Sequence, residues 1–209
     1  MTDQLWLETL ETSAPDLVAI FRLYDSGEFV PMRRLLRSRS GTGTAEGSAH
    51  QLDAVLDALA AVLAELPEPA FQAPGGEADW TVAEAVGHAL DARRTLALAA
   101  SLAAAGRWPA QAPTVVPSVP GPAGVGKAEL LARLEKSRLG VARAATAIAG
   151  HEEDECPLDH PIAGRMLCGE WILFAGVHDL MHLQQLHSLA EADRDLGPAL
   201  LPVARDVKL

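Results

Sequence analysis

Aromatic residues are scarce in this chain of 209 residues: four tryptophans, four phenylalanines and one tyrosine make up 4% of it. Strands lean on aromatic and β-branched side chains. Here alanine and leucine, good helix formers, are abundant, so helices are expected and a sheet-built core is not. Cysteine is scarcer still. Cys156 and Cys168 cannot make a disulfide framework, and a reducing cytoplasm is the natural setting. Basic residues fall short of acidic ones, 17 against 28, which gives a net charge of −11. Phosphate backbones would be repelled, so no nucleic-acid partner is expected. No uninterrupted apolar run reaches the roughly 18 residues of a membrane span. The first residues include Asp3 and Glu8 and show no basic-then-apolar start, so no signal peptide is expected.

Apolar residues are plentiful, at 49%, enough for one sizeable core. The most telling stretch is Trp171 to His187, WILFAGVHDLMHLQQLH. Its pattern predicts a helix of about four and a half turns. Trp171, Phe174, His178, Met181, His182 and Gln185 fall on one stripe at helical spacings. That stripe should face the core. His178 and His182 lie one turn apart, with Cβ atoms about 5–6 Å from each other. Buried imidazoles need partners for their ring nitrogens. Each ring can pack and donate to a carbonyl or carboxylate, or both can converge on one divalent cation. No Glu follows His178, so the pair is not the H-E-x-x-H protease motif, and a third ligand must come from elsewhere.

Residues 1–48 read as a short helical extension ending in a linker. Leu5, Trp6 and Leu10, then Leu17, Ile20 and Phe21, suggest one or two short helices. Ser13 with Pro15 marks a helix start. Pro31 opens a third, which carries Arg33, Arg34, Arg37 and Arg39. These arginines either bind an anionic group or form a solvated face that offsets acidic neighbours. Ser38 to Ser48, SRSGTGTAEGS, has the composition of a flexible linker.

Four long amphipathic helices follow over residues 49–192. The first runs from about Ala49 to Leu66 and stops at Pro67. The second starts at a capping box, Thr81-Val82-Ala83-Glu84, and ends at Gly106. It carries His88, on one stripe with Thr81, Glu84, Asp91 and Thr95. Residues 107–125 hold five prolines and form an extended crossover loop. The third helix spans about Lys127 to Ala149, capped by Gly150, and the fourth about Gly169 to Ala192. Between them His151, Cys156, Asp159 and His160 are metal-capable residues in an acidic, irregular loop, a weak pattern. The tail, residues 193–209, should pack loosely. This order predicts an all-α fold, an antiparallel four-helix bundle with a long crossover loop.

Facing helices of a bundle build metal sites in its core. His88 is the evident third ligand for His178 and His182. Three neutral imidazoles leave a coordination position open, which is a catalytic layout and not a closed structural one. Asp91 and Gln185 are candidates to support the ligands from behind.

The segments Trp80-Thr81-Val82-Ala83-Glu84-Ala85-Val86-Gly87-His88 and Glu170-Trp171 leading to His178-Asp179-Leu180-Met181-His182 resemble the DinB/YfiT-like superfamily of candidate metalloenzymes. The resemblance covers about residues 49–192 and leaves the first 48 outside. It implies a divalent metal (zinc, nickel or iron) on His88, His178 and His182. It also implies a thiol S-transferase of the mycothiol or bacillithiol type, in which a low-molecular-weight thiol attacks a small-molecule electrophile. A homodimer is expected both from relatives and from the shallow surfaces of Ala-rich helices. Two alternatives remain open. One is a metal-dependent hydrolase, for which Glu84, Asp91 or His187 would have to supply the base. The other is a non-catalytic metal-binding stress-response protein.

Overall fold

The computed structural model describes residues 5–75 and 79–196. Its helices are α1 (Leu5–Glu8), α2 (Pro15–Asp25), α3 (Phe29–Thr42), α4 (Ala45–Glu65), α5 (Val82–Ala104), α6 (Lys127–Ile148) and α7 (Cys168–Leu196). A short hairpin, β1 (Glu155–His160) and β2 (Gly164–Leu167), precedes α7. The fold is mostly helical. The loosely packed tail expected over 193–209 lies outside the described residues from 197 onward.

Local chemistry sets most boundaries. The capping box forms as expected: Thr81 Oγ1 accepts from the Glu84 amide at 3.2 Å, and the Glu84 carboxylate accepts from the Thr81 amide at 2.8 Å. Gly106 and Gly150 take φ of +64° and +81° just beyond α5 and α6, the left-handed conformation that ends helices at little steric expense. Thr44 caps α4 by accepting from the Gly47 amide. This start lies four residues before the expected one.

Two expectations are corrected. Ser38–Ser48 is not a flexible linker: α3 continues to Thr42 and α4 begins at Ala45. Met32, Leu36 and Ser40 bury one face of α3, so tertiary packing overrides a Gly-rich composition. The acidic loop after Gly150 contains the hairpin, which periodicity did not reveal. Only Cys156 and Leu158 of β1 are fully buried, too short an alternation to read as a strand.

Cross-helix contacts give the helix directions. Asp91 meets Arg133, and Arg93 meets Ser137, so α5 and α6 run parallel. Arg138 reaches Asp53, and Lys127 reaches the carbonyl of Ala64, so α4 and α6 are antiparallel. Arg93 pairs with Asp179, and His88 lies beside His182, so α5 and α7 are antiparallel. The Pro-rich loop explains the parallel pair. It travels back along α5, so that Gly121 lies against Gly87, before α6 begins. On the way, Thr114–Val116 hydrogen-bonds to Asp159 of β1.

The helix α7 is buried on every face from Trp171 to Val177. A helix apolar all round belongs inside a protein. The long helices α4 and α5 cover two sides, and α2 and α3 cover the outer one. At Gly176 α7 lies against α2: a Cβ there would stand 2.6 Å from Leu17 Cδ1.

Candidate metal centre

One turn of α5 and two turns of α7 bring His88, His178 and His182 together. Their ring centroids lie 4.7–5.5 Å apart. One ligand atom of each lies within 4.8 Å of the others. His88 and His182 are buried, and His178 keeps a partly exposed edge. Trp80, just before the capping box, packs on His88 with ring centroids 5.0 Å apart.

Hydrogen-bond partners fix the tautomers of two of these rings. His88 Nδ1 lies 2.7 Å from the carbonyl oxygen of Val119. A carbonyl only accepts, so Nδ1 carries the proton and Nε2 keeps its lone pair. For His182 the argument passes through Gln185. The Gln185 amide nitrogen donates to the carbonyl of Gly75. Its oxygen therefore accepts from His182 Nδ1, at 3.0 Å. His182 Nε2 is likewise left with its lone pair. His178 Nδ1 is buried without a hydrogen-bond partner. Two imidazole lone pairs and one orphaned buried ring nitrogen fit a divalent cation that prefers nitrogen ligands. Hydrogen bonds that fix ring orientation from behind are what metal-ligating histidines ordinarily have.

Burial also keeps the two rings of α7 neutral. It pushes His178 well below the usual histidine range, with His182 and His88 adding to the effect. Burial lowers His182 to about 4, against a weaker opposing hydrogen bond from Gln185. Neutral imidazole is the ligating form.

The structure sorts the remaining expected residues. Gln185 supports His182 as described. Arg133 engages both oxygens of Asp91, at 2.9 and 2.8 Å, and the hydrogen-bond partner of the His88 ring is the backbone carbonyl of Val119. No sequence motif announces a carbonyl. Gly87, an otherwise unfavourable residue in mid-helix, was the available signal. A Cβ on Gly121 would stand 2.6 Å from both Cα and C of Gly87. Two glycines thus let the loop touch α5, and the loop delivers Val119. The metal-capable residues of the 151–160 segment are scattered among other partners. His151 binds Asp154, Asp159 binds Arg165, and His160 Nδ1 accepts from the amides of Ile162 and Ala163. His187 stacks on Trp6.

A model of the DinB superfamily matches residues 51–186. The chain belongs to the DinB superfamily. The matched segment contains all three histidines, while α1–α3 precede it. No curated protein and no solved structure matches the chain significantly. The DinB match and the histidine cluster together are compatible with a metal-binding enzyme.

Two consequences can be measured. Gly121→Ala sets a methyl group against backbone that cannot rotate away. We expect a loss of about 1–3 kcal/mol in stability and roughly 10–100-fold weaker metal binding as Val119 is drawn off His88. Unchanged metal affinity by titration would contradict the role of the loop.

The second concerns acid. In metal-free protein His160, His178 and His182 have folded pKa values lowered by burial, to about 4 for His160 and His182. The unfolded chain binds their protons near pH 6.5. Their stabilisation is fully present above about pH 6.5 and is lost as pH falls toward about 4. Each contributes a slope of about 1.4 kcal/mol per pH unit in that window. Asp179 acts oppositely, because burial raises its carboxyl to about 6. Three histidines outweigh one aspartate, so melting temperature should drop from pH 6.5 to 4.5. A flat profile would contradict the burial of these rings.

Proposed function

We propose that the protein is a divalent-metal-dependent enzyme on a DinB-type four-helix bundle, and that it transfers a low-molecular-weight thiol onto a small electrophile. The observation that carries this reading is the three-histidine cluster, with two of its rings held from behind and no fourth protein ligand in the group among the described residues. Zinc, nickel or iron bound there would stabilise a thiol as thiolate at neutral pH. The three rings would orient the ion from α5 and α7. The part-exposed edge of His178 is the side from which a cosubstrate could arrive.

The chain's own thiols support the need for an external one. Burial pushes Cys156 up to about 11 and Cys168 up to about 12, so neither is a nucleophile at neutral pH. A hydrolase would need a general base near the ion. The three candidates have other engagements: Glu84 in the helix cap, Asp91 with Arg133 and His187 against Trp6. The same reading includes a reducing cytoplasm and a homodimer, for which exposed Leu98 and Leu139 on α5 and α6 offer apolar surface.

The test is turnover of an electrophilic aryl halide by metal-loaded protein, with and without mycothiol, bacillithiol or glutathione. Transferase activity requires added thiol and disappears on metal removal. Hydrolysis of activated esters without thiol would overturn the proposal in favour of a hydrolase. Inactivity with every thiol would favour a non-catalytic binding protein.

A further inference from the structure

A second site lies outside the histidine cluster, where α3 meets the hairpin. A pocket of about 400 Å³ opens between them and the start of α7. Arg33, Arg34 and Arg37 from α3 and Arg165 from β2 line it. Two of these charges are already balanced. Arg37 binds Glu170, which also accepts from the Leu167 amide at 2.6 Å. Arg165 binds Asp159, with one contact at 2.5 Å. Arg33 and Arg34 have no ion-pair or hydrogen-bond partner among the described residues. The Arg33 guanidinium lies close to Gly164: a Cβ there would stand 3.3 Å from Nη2. Gly164 has φ of +68°, so glycine suits both the turn and the close approach.

Arg94, Arg107 and Arg143 also lack an ion pair among the described residues, so what distinguishes Arg33 and Arg34 is their shared place on the pocket wall. Here they flank a concavity whose wall includes Val30, exposed, and Met166, buried. Guanidinium forks match the geometry of carboxylate and phosphate oxygens. An apolar wall beside convergent polar groups is the usual make-up of a small-molecule site.

We infer that this pocket binds a small organic oxyanion, with its carboxylate or phosphate held by Arg33 and Arg34 and its apolar part against Val30 and Met166. The site is separate from the metal centre: Glu170 precedes His178 by eight residues of α7, about 12 Å of helix rise. It also depends on α3, which precedes the segment matched to the DinB superfamily. The inference does not rest on the transferase reading.

The experiment titrates the full chain with phenyl phosphate, benzoate and neutral phenol, followed by calorimetry or amide NMR. We expect saturable binding of at least one anion, with phenol inert, and the two anions distinguish phosphate from carboxylate recognition. The Arg33→Gln/Arg34→Gln variant should bind about tenfold or more weakly, with metal content and helical circular dichroism unchanged, since both side chains are exposed. Arg94→Gln/Arg143→Gln, on α5 and α6, serves as the charge-matched control and should bind as the parent does. No saturable binding of either anion would overturn the inference. So would equal binding of phenol, or an affinity that survives the double substitution.

Discussion

Asp179→Ala should lower stability by about 3–5 kcal/mol, the range for removing one partner of a buried ion pair. Asp179 and Arg93 are both fully buried, and Arg93 Nε donates to Asp179 Oδ2 at 2.8 Å. Arg93 also donates to Ser137 Oγ at 2.8 Å, and Ser137 passes its own hydroxyl proton to the Leu134 carbonyl at 2.7 Å. The network ties α5, α6 and α7 together, but it is incompletely satisfied: Arg93 Nη2 and Asp179 Oδ1 have no partner. Burial pulls both groups toward their neutral forms, and their mutual attraction opposes it, with a smaller contribution from Asp53 for Arg93. Arginine does not give up its proton. Removing the carboxylate therefore strands a cation in the core. For a chain of this size the melting temperature should fall by roughly 10 °C. The double variant Arg93→Met/Asp179→Leu should recover most of the loss, because two apolar side chains of similar volume replace the pair. A small effect of Asp179→Ala, or a double variant worse than the single, would contradict this account of the core.

His178→Ala and His182→Ala should each remove most bound metal while the helices persist. Two remaining ligands bind a divalent ion far more weakly than three, and the apolar core does not depend on the rings. Leu180, Leu183 and Leu186 bury the same stretch of α7 without them. Metal per chain should fall to a small fraction of the parent value, with circular dichroism unchanged. His88→Ala should behave alike and should also free the Val119 carbonyl. His160→Ala and His187→Ala should leave metal content as it was, since one ring faces Phe174 and the other Trp6. His178→Ala with full metal, or His160→Ala without it, would move the site to the hairpin around Cys156.

Much of this arrangement was legible in the sequence wherever the signal is local. The capping box at Thr81, the glycine stops at 106 and 150, and the helical spacing of His178 and His182 involve residues within one or two turns of each other. Covering both histidine segments, the DinB resemblance pointed to the same three rings. What escaped depends on distant partners. Arg93 and Asp179 are 86 residues apart, and neither position alone announces a pair. The hydrogen-bond partner of His88 is a backbone carbonyl, which any residue can supply, whereas the pattern of side chains points to Asp91, the acidic residue one turn away. The Gly-rich end of α3 was read as a linker because composition carries no record of the apolar face of α7 that α2 and α3 cover.

The measurement that bears most directly on the histidine site is the X-ray absorption spectrum of the metal-loaded protein. Three imidazole nitrogens at about 2.0–2.1 Å, with the remaining scatterers light atoms from solvent, are expected for zinc. The same pattern should vanish in His178→Ala. A sulfur scatterer near 2.3 Å in the absence of added thiol would place the ion at Cys156 or Cys168 and contradict the three-histidine centre.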